Sequence, residues 1–194
     1  MSRAATKTRK TRETNVTATV NLDGTGAANL RTGIGFLDHL LDALAKHSRI
    51  DISLACDGDL YIDDHHTAED CAIVLGQALD AALSDRVGIA RFGAAYAPLD
   101  EALARVVIDL SGRPCSDVNL LLRREMIGTF ACENIGHFIT SLATHLRGAI
   151  HADVLKGDND HHKAEAAFKA LALALRQAVA LTGESTTPST KGVL

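Results

Sequence analysis

Apolar residues recur along this chain in two rhythms that alternate and then start again. Residues 14–22 alternate every second position and are rich in β-branched side chains, which predicts a strand with one buried face. Asp23-Gly24-Thr25-Gly26 turns the chain, and 27–31 offers a short return strand. After Gly33-Ile34-Gly35, apolar positions 36, 37, 40, 41 and 44 follow a helical period ending near His47. Ile50 to Cys56 alternates again, Asp57-Gly58-Asp59 turns, and a second helix is predicted from about Asp64 to Leu83. Past a break at Gly88, strands are predicted at 91–97, 104–110 and 115–122, with a turn at Ser111-Gly112-Arg113-Pro114 between the last two. A helix over 130–146, a strand from Ala149 to Leu155, a turn at 156–159 and a long Ala/Leu-rich helix over 161–181 complete the pattern.

The second round repeats the first. His39 to His47 aligns with His137 to His145, 98 positions on, and His65, His66 and Glu69 align with His161, His162 and Glu165, 96 positions on. One strand-helix-strand-helix unit is therefore used twice. The expected fold is α+β, with half-repeats at 12–88 and 89–181 forming one compact domain, helices packed between two outer sheets. A parallel βαβ fold fits less well, because strands come in runs before each helix. Residues 1–11 read as a mobile basic tail, and 182–194 as a polar tail that contributes to the site.

The duplicated motif carries the chemistry. Asp64 precedes His65-His66-Thr67-Ala68-Glu69, and Asp160 precedes His161-His162-Lys163-Ala164-Glu165. A helix advances about 100° per residue, so residues four apart share a face. His65 can join Glu69 at one object and His161 can join Glu165, while His66 and His162 are turned away. Neutral imidazole and carboxylate are ligands for borderline divalent metals, and two matched sets suggest two ions. His39 and His137 occupy equivalent places on the preceding helices and are expected at equivalent metals. His47 and His145 read as helix-end residues favoured by the dipole, with a substrate role open for His47.

Composition narrows the setting. The chain has 194 residues, 46% of them hydrophobic and 23% charged, as in an ordinary globular protein. A net charge of −4 argues against nucleic acid as the main partner. No apolar run reaches a membrane span, and Met1 to Arg12 lacks the apolar stretch of a secretory signal. Cys56, Cys71, Cys115 and Cys132 have no C-x-x-C spacing and read as free thiols of a reducing cytoplasm, with Cys71 in the core. Arg91, Arg113, Lys169 and Lys191 are candidates for an anion site, with hydroxyls beside them in Ser189-Thr190-Lys191-Gly192. Glu13, Asp100 and Glu101 are possible acid/base groups that spacing alone does not select.

Over nearly its whole length the chain resembles the imidazoleglycerol-phosphate dehydratases of histidine biosynthesis, in their monofunctional form. The resemblance rests on Arg12-Glu13-Thr14, Gly35-Phe36-Leu37-Asp38-His39, Asp64 to Asp70, Asp109 to Pro114, Asn159 to Ala170 and Ser189-Thr190-Lys191-Gly192. It implies a ribosomal protein S5 domain 2-like fold and dehydration of imidazole glycerol phosphate to imidazole acetol phosphate with two Mn(II) ions per subunit. In the family the substrate imidazole is held between the metals as imidazolate, a diazafulvene-like intermediate follows loss of the hydroxyl, and an enol becomes the ketone. The resemblance implies catalytic roles for Glu13, Glu69 and Glu165, with Glu13 the candidate base. Arg91, Arg113, Lys169, Ser189, Thr190 and Lys191 are expected to hold the substrate phosphate, and His39, His47, His65 and His161 to line the substrate. Helix geometry and the resemblance together assign His39, His65, Glu69 and His162 to one metal, and His66, His137, His161 and Glu165 to the other. A 24-subunit shell is implied, with sites completed by neighbouring subunits. The chain departs from the pattern at Ala43, where many members carry a Gln that contacts the phosphate. A di-metal hydrolase and a non-catalytic metal-binding assembly protein are the alternatives.

Overall fold

The computed structural model describes residues 3–192 and 194. The first half runs β1 (Ala4–Lys10), β2 (Thr14–Asn21), β3 (Ala28–Arg31), α1 (Gly35–Ser48), β4 (Asp51–Gly58) and α2 (His65–Leu83). The second runs β5 (Phe92–Leu99), β6 (Ala102–Asp109), β7 (Cys115–Asn119), a small hairpin of β8 (Met126–Ile127) and β9 (Phe130–Ala131), α3 (Cys132–Leu146), β10 (Ala149–Lys156) and α4 (Asp160–Ala178). The two large sheets have the same order, β1-β2-β4-β3 and β5-β6-β10-β7. Pairing is antiparallel except for β3 with β4 and β7 with β10. Each parallel pair is bridged by a helix, α1 or α3, as a parallel connection requires.

The α+β expectation and the helices between two outer sheets are both observed. Val16, Ala18 and Val20 of β2 are fully buried while Asn15, Thr17 and Thr19 face solvent. Ala104, Val106 and Ile108 of β6 do the same in the other sheet. Between them α1 packs on α4 and α2 on α3, so each helix takes its partner from the other half. Cys71 lies fully buried on α2, as expected, and all four thiols are free.

The N-terminal segment is a correction. Ala4–Lys10 is not a mobile tail but an edge strand, in register with β2 from Ala4↔Asn21 to Lys10↔Asn15. Arg9 forms an ion pair with the buried Asp70 of α2, which also accepts from the Thr14 hydroxyl. An edge strand shows little apolar alternation, since its outward residues are solvated and basic. Smaller differences follow local geometry. The strand read over 115–122 stops at Asn119, just before Leu121 adopts a positive φ of 53°. The helix read from 130 begins at Cys132, behind the β8–β9 hairpin, and the last helix ends at Ala178.

Close helix packing depends on one glycine. A Cβ on Gly76 of α2 would lie 2.9 Å from the His145 Cβ and 3.0 Å from the Leu142 carbonyl oxygen. Elsewhere in a helix, Gly→Ala gains roughly 0.5–1 kcal/mol. Here overpacking against α3 outweighs that gain, and Gly76→Ala should lower stability by about 1–3 kcal/mol, read from the urea midpoint. A second contact fixes the turn before β3. Asp51 Oδ1 accepts from the amides of Thr25 (2.8 Å), Gly26 (3.0 Å) and Ala27 (2.9 Å). The Ala27 amide foremost, then that of Thr25, holds this carboxyl below its ordinary 3.8. Its contribution is present above pH 3.8 and is lost as pH falls through the lower folded value. Asp51→Ala should cost on the order of 1 kcal/mol at neutral pH. Thermal melts should show the gap to the unmodified chain closing in acid.

Candidate metal centre

Both motif helices start in the same way. Asp63 Oδ1 accepts from the His65 amide and Asn159 Oδ1 from the His161 amide, each at 2.9 Å, which caps the first turn. The next residue in each half, Asp64 or Asp160, is buried. Asp64 Oδ2 accepts from the Ala131 amide at 2.6 Å. Asp160 Oδ2 accepts from the amides of Arg123 and Arg124 at 2.8 and 2.7 Å, and its Oδ1 takes Lys163 Nζ at 2.8 Å. Burial pushes the Asp160 carboxyl up, but Lys163 and the two amides outweigh it and hold it low. Two carboxylates of the motif thus grip the one segment, 121–131, that leads into α3.

Two clusters result. In the first, ligand atoms of His65, Glu69 and His137 lie within 4.8 Å of one another, and in the second those of His39, His161 and Glu165 do. His137 Nε2 is 3.1 Å from Glu69 Oε1, and the His65 and His137 rings stack at 4.9 Å. In the other cluster Glu165 Oε2 is 3.0 Å from His39 Nε2 and 3.3 Å from His161 Nε2. Ligands bound at about 2.1 Å and separated by 90–110° lie about 3.0–3.4 Å apart, so both clusters fit a divalent ion. The i, i+4 pairing of His with Glu holds in both. The third histidine within one chain comes from the other half: His39 lies with His161 and Glu165, and His137 with His65 and Glu69. The reason is the packing of α1 on α4 and α2 on α3, which carries each first-helix histidine to the opposite half's motif.

His66 and His162 point elsewhere, as the helix rotation requires. His66 Nδ1 is 3.0 Å from Asp59 Oδ2, and His162 Nδ1 is 2.7 Å from Glu101 Oε2. Each Nδ1–H donates to its carboxylate and leaves the Nε2 lone pair free, the arrangement that prepares a histidine for a metal. The hydrogen bond from Asp59 raises the His66 imidazole above its ordinary value, and that from Glu101 raises His162. Glu101 itself is held down at about 2, by the Asn159 amide first and His162 second. Asn134 of α3, buried, takes the same part for His65, with Oδ1 3.0 Å from Nδ1. Sequence reasoning missed Asn134 and Asp59, because neither lies in a motif; they are recruited by contact between elements.

The remaining candidates separate. Glu13 Oε1 is 3.7 Å from His66 Nε2, on the same side as a free ligand nitrogen. Lys169 Nζ contacts Glu165 Oε1 at 2.7 Å, one turn along α4. Burial opposes ionisation of Glu165, but Lys169 and His39 hold it at about 2. Arg91 lies far from these clusters. Its guanidinium donates to Asp109 at 2.7 and 3.1 Å and to the Pro188 carbonyl at 2.8 Å, fastening the tail that bears Ser189, Thr190 and Lys191. A Cβ on Gly112 would meet the Leu194 carboxyl carbon at 2.7 Å, so the tail end also lies against the turn carrying Arg113. The Arg91 amide donates to Ala178 at the far end of α4. At 1.5 Å per residue, that is about 20 Å from Glu165. His47 sits apart, at the C-terminal end of α1 in a shallow cleft with Gly24, Thr25, Lys46 and Arg49.

A family model described as imidazoleglycerol-phosphate dehydratase matches residues 32–175. An imidazoleglycerol-phosphate dehydratase of Chlorobium luteolum is 52% identical over 192 residues, covering 99% of this chain and 96% of that protein. One from Phytophthora nicotianae is 56% identical over 99% of this chain, which spans 42% of that longer protein. A crystal structure of the Staphylococcus aureus imidazoleglycerol-phosphate dehydratase superposes with a TM-score of 0.83 at 36% identity, covering 92% of this chain and 99% of that one.

The buried Lys163–Asp160 pair, each side chain 2% exposed, anchors the second motif helix. Asp160→Ala strands the Lys163 charge and should cost about 3–5 kcal/mol, read by thermal unfolding of metal-free protein. Adding Lys163→Met should recover much of that loss; a further loss would contradict the coupling.

Proposed function

The chain belongs to the imidazoleglycerol-phosphate dehydratase family, hydro-lyases of histidine biosynthesis, and on that premise we propose a reaction centre of two Mn(II) ions assembled between copies of the chain. The observation that carries the assembly is distance. Within one chain the cluster holding Glu165 lies at the start of α4, while Arg91 and the tail it fastens lie near the end of that helix, about 20 Å off and too far for one small phosphorylated substrate. The ligands are also open, with side-chain exposure of 34% at His137, 42% at His161 and 46% at His39. A face bearing the first cluster and His66, set against a neighbour's face bearing the second cluster and His162, gives both metals their expected ligands. His39 and His162 of one copy then join His65 and Glu69 of the other, and His66 and His137 join His161 and Glu165. The single-chain grouping and the expected ligand sets are thereby compatible. A closed shell of 24 copies is the assembly this reading takes from the family, with the soluble cytoplasm as its setting.

When bound, the ions supply Lewis-acid stabilisation of negative charge on the substrate's imidazole ring. The chain's own residues do the rest. Nε2 of the histidines and the two Glu carboxylates orient the ring, with Asp59, Glu101 and Asn134 fixing three of the imidazoles. Glu13, beside His66, takes the carbon-bound proton. The hydroxyl on the adjacent carbon leaves with a proton as water, and the resulting enol becomes the ketone. Arg113, Ser189, Thr190 and Lys191 of a neighbouring copy hold the phosphate, with Arg91 securing the tail and able to add a donor. Lys169, next to Glu165, serves the same anion from the metal side. Ala43, 8% exposed on α1, offers no polar contact to it. No observation favours a hydrolase or a metal store.

Chelation should abolish dehydration, and Mn(II) should restore both activity and the large species in sedimentation; full turnover in stripped protein would end the metal reading. Shared sites predict complementation. Glu69→Gln and Glu165→Gln chains should each be inactive, and co-assembled at equal ratio they should regain about a quarter of the activity, since a quarter of faces pair intact clusters. No recovery in verified mixed assemblies would place both clusters' function within one chain.

A further inference from the structure

Taking the two-metal reading as its basis, we infer that the two metal positions are unequal: the one built on His65 and Glu69 binds its ion more tightly than the one built on His161 and Glu165, and Asn134 is a positioning residue for that difference. The halves share one sheet order and one helix order, so their helices can be compared position by position. Asn134 stands three positions before His137, and its counterpart three positions before His39 is Phe36. Asn134 is 3% exposed and accepts from His65 Nδ1 at 3.0 Å. An amide oxygen only accepts, so this contact favours the tautomer with the proton on Nδ1 and leaves Nε2 as the ring's free lone pair. Phe36 presents an aromatic ring to His161, centroid to centroid 4.8 Å at 51°. A phenyl group is no acceptor for an imidazole N–H, so it packs the ring without selecting a tautomer.

A second, independent difference points the same way. Glu165 gives Oε1 to Lys169 at 2.7 Å, and the counterpart of Lys169 on α2 is Ile73. The ammonium draws on the carboxylate's charge and repels a divalent cation arriving at Oε2. Glu69 meets His137 at 3.1 Å and has no such cation four residues on. Loss of a hydrogen bond that orients a ligand histidine typically costs about 10–100-fold in metal affinity. The two positions should therefore differ by at least about tenfold.

The test is calorimetric titration of metal-free protein with Mn(II), with electron paramagnetic resonance counting free ion. Two ions per chain in two classes at least about tenfold apart are expected, and at one equivalent the anomalous signal should sit with His65 and Glu69. Asn134→Leu should weaken the tight class by about 10–100-fold and leave the weak class unmoved, while Asn134→Asp, which keeps the acceptor, should preserve it. Phe36→Asn should tighten the weak class, and this arm decides the matter if Asn134→Leu does not fold. Binding of one ion or none per chain would overturn the two-metal reading itself. Two ions of equal affinity, a first ion at His161 and Glu165, or an equal fall of both classes in Asn134→Leu would overturn this inference alone.

Discussion

The site depends on helices that pack across the duplication. Because α1 lies on α4 and α2 on α3, each candidate metal-binding motif meets a histidine from the opposite half. The contact needs a close approach, which Gly76 allows against the backbone of α3 at Leu142 and Leu146. If each half packed its own two helices together, His39 would face the first motif and the clusters would not form as they do. Cross-packing also binds the halves into one core. Neither could hold its ligands alone, since each sheet covers only one side of the helix layer.

Orientation of the imidazoles is set by a layer of carboxylates and one amide behind them. Asp59, Glu101 and Asn134 each take an Nδ1–H and free an Nε2. Glu101 is held in turn by the amides of Asp158 and Asn159, and the motif carboxylates Asp64 and Asp160 hold the segment entering α3. The polar chemistry is therefore continuous from the helix starts to the ligands. Where the halves diverge, at Asn134 against Phe36, Lys163 against Thr67 and Lys169 against Ile73, the surroundings of the two clusters diverge with them.

The open faces and the distant anion candidates have one common explanation. The candidate ligands His39, His137 and His161 are a third to a half exposed, and Arg91 with the tail it fastens lies a helix length from the Glu165 cluster. Both observations support the proposed half-sites. Arg91, bound to Asp109 and to the Pro188 carbonyl, fastens the C-terminal tail just before Ser189, Thr190 and Lys191.

The sequence by itself determined most of the elements, the duplication and the candidate ligands. Side-chain period reports burial directly, and spacing by four on a helix reports a shared face, so His65 with Glu69 and His161 with Glu165 were legible. The turning away of His66 and His162 followed from the same rotation. Only the tertiary structure decided which first-helix histidine joins which motif, because helix pairing depends on surfaces far apart in sequence, such as that around Gly76. The same holds for Asn134 and Asp59, which act through contacts no local pattern encodes. The strand at Ala4–Lys10 escaped for a related reason: an edge strand is defined by the backbone partner it finds in β2 and only weakly by its own apolar residues.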